Sequence, residues 1–120
     1  MSSDKRMEVI RRDDCDFELT FKDVDGNVIN LTGSTVFFTV KRHVDDDDDD
    51  AVISKTITSF EDPTSGVALL QLSKTDTDLP AKAYYFDVQL VDSGGKVSSS
   101  QAGRFIVSQD ITVRTIDNGS

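Results

Sequence analysis

The sequence predicts an all-β protein, an antiparallel β-sandwich of seven to eight short strands. Three observations carry that expectation. Apolar residues recur with a period of two in run after run, the runs are rich in Val, Ile, Phe and Thr, and turn signals separate them at short intervals. No stretch shows the 3.6-residue apolar period of a helix. The clearest run is Leu79–Val91. There a stiff Leu79-Pro80 corner feeds a strand with Tyr84, Phe86, Val88 and Leu90 on one face and Tyr85, Asp87 and Gln89 on the other. An aromatic at the entry to a long central strand can fix a sandwich corner by bonding its hydroxyl to nearby backbone. Tyr84 is the expected corner residue, and Tyr85 is left on the opposite face for packing or a partner.

The other elements follow in order. Met7 to Arg12 reads as a short first strand broken by Asp13-Asp14, and Cys15 to Lys22 as a strand with Cys15, Phe17, Leu19 and Phe21 inward. Asp25-Gly26 between alternating segments signals a tight hairpin, because its central residues need positive φ. Val28 to Leu31 is expected to return as a short strand. Ser34 to Arg42 should be a central strand with both faces partly covered, Val36, Phe38 and Val40 on one side and Phe37 on the other. Ala51 to Thr58 resumes with Ile53 and Ile57 facing the core. Phe60 to Gly66 is a turn-rich connection, Val67 to Leu72 a further strand, and one helical turn is allowed near Ser73–Asp76. Asp92 to Lys96 closes a hairpin onto a long last strand, Val97 to Val107, with Gly103 a candidate bend. Residues 1–14 form an N-terminal arm with the first strand, 15–108 the sandwich and 109–120 a C-terminal tail.

At 120 residues the chain is one domain of ordinary size, able to bury roughly two-thirds of its unfolded surface. The net charge of −9 comes from 22 acidic and 13 basic residues, and six of the acids form the run Asp45–Asp50. Without that run 16 acids face 13 bases, so the acidity is local. The absence of a clustered Lys/Arg surface argues against nucleic acid and against anionic membranes as partners. One cysteine excludes an internal disulfide. The polar start and the lack of a long apolar run predict neither signal peptide nor transmembrane helix, and a chain folded in a reducing cytoplasm.

Enzyme chemistry finds no foothold. His43 is the only histidine, which rules out a multi-His metal site or a His-based triad with a second histidine. Cys15 sits on the apolar side of its strand, where a thiol acts as a small hydrophobe, and nothing basic surrounds it in sequence. Asp23-x-Asp25-Gly26 is a hairpin, since the third ligand and the terminal Glu of a calcium loop are missing. Asp45–Asp50 is a solvated loop that discourages edge pairing; the alternative is weak capture of calcium or magnesium. No cofactor is expected. Asn30-Leu31-Thr32 fits a glycosylation sequon by chance. The tail alternates again over Ile111 to Ile116. It either adds a strand to a partner's sheet edge or completes this chain's own sheet. Candidate partner-binding residues are therefore Ile111, Val113, Arg114, Ile116 and Tyr85.

Four segments stand together in a particular order. They are Phe17–Asp23 with Asp25-Gly26; Asn30–Lys41; Gly66-Val67-Ala68 with Asp76–Pro80; and Tyr84–Leu90. Over residues 15–113 this layout resembles the immunoglobulin-like domain of tailed-bacteriophage structural proteins, notably the N-terminal domain of upper baseplate proteins. The resemblance implies a non-enzymatic virion component that docks onto a larger symmetric assembly through strand edges and terminal segments. Its place would be in the tail, neck or baseplate, or on the capsid as a decoration. Its partners would be other virion proteins, either copies of itself or capsid or tail subunits, and it would be made in the host bacterial cytoplasm. The chain departs from upper baseplate proteins in stopping soon after the sandwich. The rival reading is an immunoglobulin-like module recognising a host-surface glycan or protein, with Phe37, Phe60 and Tyr85 as candidate contacts.

Overall fold

The computed structural model describes residues 5–43 and 50–109. Among these residues seven strands run in chain order: β1 Lys5–Ile10, β2 Cys15–Thr20, β3 Thr35–Lys41, β4 Ile53–Ile57, β5 Val67–Leu72, β6 Lys82–Val91 and β7 Val97–Ser108. They form a five-stranded sheet in the order β1-β7-β6-β3-β4 and a two-stranded sheet β2-β5. The fold is all-β and sandwich-like, as the period-two pattern requires.

The alternation in each strand decides its faces. In β6, Tyr84, Phe86, Val88 and Leu90 are all buried while Tyr85 and Gln89 are exposed. In β3, Val36, Phe38 and Val40 are fully buried, and in β5 Ala68, Leu70 and Leu72 face inward. These residues join Met7, Val9, Leu19, Phe21, Leu31, Phe105 and Val107 in a single core between the two sheets. Phe38 sits at its centre, with ring centroids 6.0 Å from Phe86 and 6.2 Å from Phe105. Tilted aromatic contacts of this kind add to simple area burial.

Four details differ from the sequence expectation. The large sheet is mixed, because β1 pairs with β7 in parallel while every other pairing is antiparallel. Nothing in β1's own pattern encodes that choice; its apolar face is the same either way. Val28–Leu31 makes only an isolated bridge, Lys22 to Val28, because Leu31 turns into the core and spends its N–H on the Pro63 carbonyl. A 3₁₀ turn, Pro63–Ser65, occupies the connection before β5, with Asp62 capping Thr64 and Gly66 closing it at φ 74°. Its signal was the Asp-Pro start and Gly stop. The irregularity in the last hairpin falls between Leu90 and Val91, not at Gly103, which pairs in register with Phe86.

The helical turn after β5 is present as a hydrogen-bonded turn. The Ser73 N–H donates to Asp76 Oδ2 at 2.8 Å, and the Asp76 N–H donates back to Ser73 Oγ at 3.2 Å. This reciprocal pattern is a capping box. The turn is stitched to the β1–β2 corner: buried Thr77 donates its hydroxyl to the Asp13 carbonyl, and the Lys74 N–H donates to Asp14. Arg12, in the left-handed region at φ 69°, places its guanidinium 3.1 Å from Asp78.

Candidate functional site

The tail residues Ile111, Val113, Arg114 and Ile116 lie outside the described residues, as does Asp45–Asp49 of the acidic run. The surfaces that remain are the outer face of the five-stranded sheet and the strand edges.

On the outer face, β3 and β6 lie side by side, and their alternation turns Phe37 and Tyr85 to solvent, 41% and 42% exposed. Phe37 stands opposite Gln89 and Thr56; Tyr85 stands opposite Lys41 and Arg104. The four-residue offset along neighbouring strands puts their backbones about 14 Å apart. Between them lies the row Ser54, Thr39, Asp87 and Ala102. Phe37, Thr39, Ser54, Asp87 and Gln89 line a shallow open depression of about 380 Å³. Phe60 is not part of this surface, because it is half-buried and packed against the core. The aromatic pair is therefore Phe37 and Tyr85.

The edges differ in how they are guarded. Edge strands invite pairing unless charges, bulges or prolines blunt them. β1 carries Arg6 and Glu8, paired with each other at 2.6 Å on an exposed surface. β2 carries Asp16 and Glu18. β4 carries Lys55, whose ammonium reaches Asp76 at 2.8 Å and ties that edge to the turn after β5. β5, Val-Ala-Leu-Leu-Gln-Leu, carries no charge at all. It pairs with β2 on one side only, and among the described residues no loop backbone bonds Ala68–Leu72 on the other.

Two depressions flank this bare edge. One, of about 430 Å³, runs along the seam between β4 and β5 and is lined by Ile57, Phe60, Leu69, Leu70 and Gln71 among others. The second, of about 290 Å³, brings Glu18, Glu61 and Asp62 around Val67 and Leu69. Leu69 is 48% exposed at the junction. The sequence pattern marks Val67–Leu72 as a strand without assigning its faces, and that β5 would be an edge depended on tertiary pairing.

Groups that could do covalent or metal chemistry are poorly placed for it. Burial pushes the half-buried Cys15 thiol up, and the neighbouring carboxylates of Asp16 and Asp13 push it further. A thiol so placed is a poor nucleophile. Burial also raises the Tyr84 hydroxyl, against a weaker opposing effect of Arg42. His43 is exposed, and among the described residues no three His, Cys, Asp or Glu side chains converge as a metal site. No helix among them is long and apolar enough to cross a membrane. Against known proteins the chain matches no family model, and no curated protein matches it.

Proposed function

We propose that this chain is a non-enzymatic structural component of a tailed-bacteriophage virion, built on an immunoglobulin-like sandwich that docks into a larger symmetric assembly through strand edges and terminal segments. The observation that carries the reading is the unguarded β5 edge on an otherwise well-guarded small sandwich. A bare, uncharged edge strand is a liability in a free monomer and an asset in an assembly subunit.

The immunoglobulin-like assignment has its own support. The run β7-β6-β3-β4 follows the G-F-C-C′ order of the larger sheet in that fold, and β2-β5 follows B-E. Tyr84, at the start of β6, donates its hydroxyl to the Pro80 carbonyl at 2.7 Å, the arrangement of a tyrosine corner at the entry to strand F. Among the described residues no strand fills the position beside β5 that strand D takes in the seven-stranded version. The resemblance in residues 15–113 to phage baseplate domains supplies the assignment to a virion.

Mass spectrometry of gradient-purified particles of the phage encoding the chain tests the proposal. Peptides of this protein should be present in a fixed ratio to a capsid or tail protein. Their absence from particles, with the protein found only in the infected-cell lysate, overturns it.

A second reading is favoured by one observation, the exposed Phe37 and Tyr85 on a polar sheet face. Flat rings flanking Thr39, Ser54, Asp87 and Gln89 suit a module that recognises a glycan or protein on a host surface. Binding of purified protein to host cells, lost in Phe37→Ala and Tyr85→Ala, would favour it over assembly.

A further inference from the structure

The β5 edge calls for an occupant, and the chain carries a segment that fits it. We infer that residues 111–116 of one copy add as a strand to the outer edge of β5, Val67–Leu72, in a second copy. The inference deepens the edge-and-terminus docking reading by naming both halves of one contact.

Three features point to this occupant. The first is length and pattern. Ile111–Ile116 is a six-residue alternating run, and β5 is a six-residue strand. Paired to β5, Ile111 and Val113 fall on the side of the seam lined by Ile57, Phe60 and Leu70. Thr112, Arg114 and Ile116 fall on the outward side with Leu69. The second is charge. The outward side of β5 is rimmed by Glu18, Glu61 and Asp62, and Arg114 is the single charge within Ile111–Ile116. Two copies of β5 pairing with each other would instead bring two acidic rims together.

The third is reach, and it makes the contact intermolecular. β7 ends at Ser108, held between Ile10 of β1 and the start of β6. Both sides of β7 are therefore filled. The β5 edge lies on the β4 side of the sandwich, three strand spacings from β7, about 14 Å, before the gap of about 10 Å between sheets is crossed. From Ser108 to Ile111 the chain spans at most about 11 Å. A copy cannot set its own Ile111 on its own β5. Because the donor and acceptor surfaces differ, two copies can close a pair by exchanging tails about a two-fold axis, or a tail passed on to a third copy can build rings or filaments.

Two full-length variants separate the halves. Leu69→Lys with Gln71→Lys charges the outward side of β5 at two exposed positions, and Val113→Pro removes a ladder donor from the tail. Sedimentation of the wild-type protein should show concentration-dependent self-association, to a dimer or beyond. Each variant alone should stay monomeric, and the two mixed should form a one-to-one dimer, since one functional edge meets one functional tail. A wild-type protein that stays monomeric at every concentration overturns the inference. So does Val113→Pro assembling like wild type, which would point to edge-to-edge pairing of β5, or a mixture that stays monomeric. Circular dichroism of both variants checks that the sandwich is retained. Particle incorporation is a separate readout, so the virion reading can stand where this contact fails.

Discussion

The Tyr84 hydroxyl donates a 2.7 Å hydrogen bond to the carbonyl of Pro80, four residues back, with the ring fully enclosed in the core. The bond fixes the angle at which the chain leaves the Leu79-Pro80 corner and enters β6, the strand that pairs with both β3 and β7. Tyr84→Phe keeps the ring and leaves the Pro80 acceptor without that partner. The expected cost is about 1–2 kcal/mol. Urea unfolding should show a lower midpoint with an unchanged slope.

Gly66 and Gly26 both have positive φ, yet they should respond differently to alanine. At Gly66, φ 74°, a Cβ would lie 2.9 Å from Val28 Cβ, 3.0 Å from the Phe21 carbonyl oxygen and 3.1 Å from that of Ile29. Two of those contacts are backbone and cannot swing aside. At Gly26, φ 87°, a Cβ meets nothing within 4 Å. Gly26→Ala should cost about 1 kcal/mol for the left-handed backbone alone. Gly66→Ala adds the clash and should cost more than about 2 kcal/mol. Equal midpoints for the two variants would contradict this account.

Adjacent residues in β3 provide the sharpest test of the face assignment. Phe38 is fully buried against Phe86 and Phe105, whereas Phe37 faces solvent. Phe38→Ala should cost about 3–5 kcal/mol through lost transfer energy and a cavity. Phe37→Ala should change stability by about 0.5 kcal/mol. Thermal unfolding of both variants measures the contrast directly.

What the sequence made legible was local. The faces of β3 and β6 and the Tyr84 corner follow from alternation and corner chemistry within a dozen residues, whereas the turn at Asp25-Gly26 takes positive φ at Gly26 alone and not at both central residues as expected. The parallel pairing of β1 with β7 was not legible, because Met7 and Val9 bury equally well in either direction. Nor was the fate of Val28–Leu31, whose alternation was outweighed by the burial of Leu31 and its bond to Pro63. The opposite-face placement of Tyr85 and of Phe37 was foreseen, but β3 was expected to be partly covered on both faces and Phe37 instead stands exposed. The bare edge of β5 was not, since an edge is defined by which strand fails to arrive, and that depends on the whole topology.

The Lys55–Asp76 contact makes the stability of this seam depend on pH in a definite direction. Burial alone would raise the Asp76 carboxyl. The hydrogen bonds it accepts from Lys55 and from the Ser73 backbone, together with the Lys55 charge, outweigh that and hold it below its ordinary value. A carboxyl whose folded value is depressed stabilises the fold above its unfolded value of about 3.9 and loses that contribution as pH falls through the lower folded value. The pair is partly exposed, so its worth is about 1 kcal/mol or less. Asp76→Asn should therefore have a lower urea midpoint than wild type at neutral pH. The gap should stay constant down to about pH 5 and close below about pH 4. A gap that widens as pH falls would mean that the carboxylate is not the stabilising form. Raising the salt concentration at pH 7 should narrow the same gap in part, by screening the Lys55 charge, and leave the portion that comes from the Ser73 capping bond.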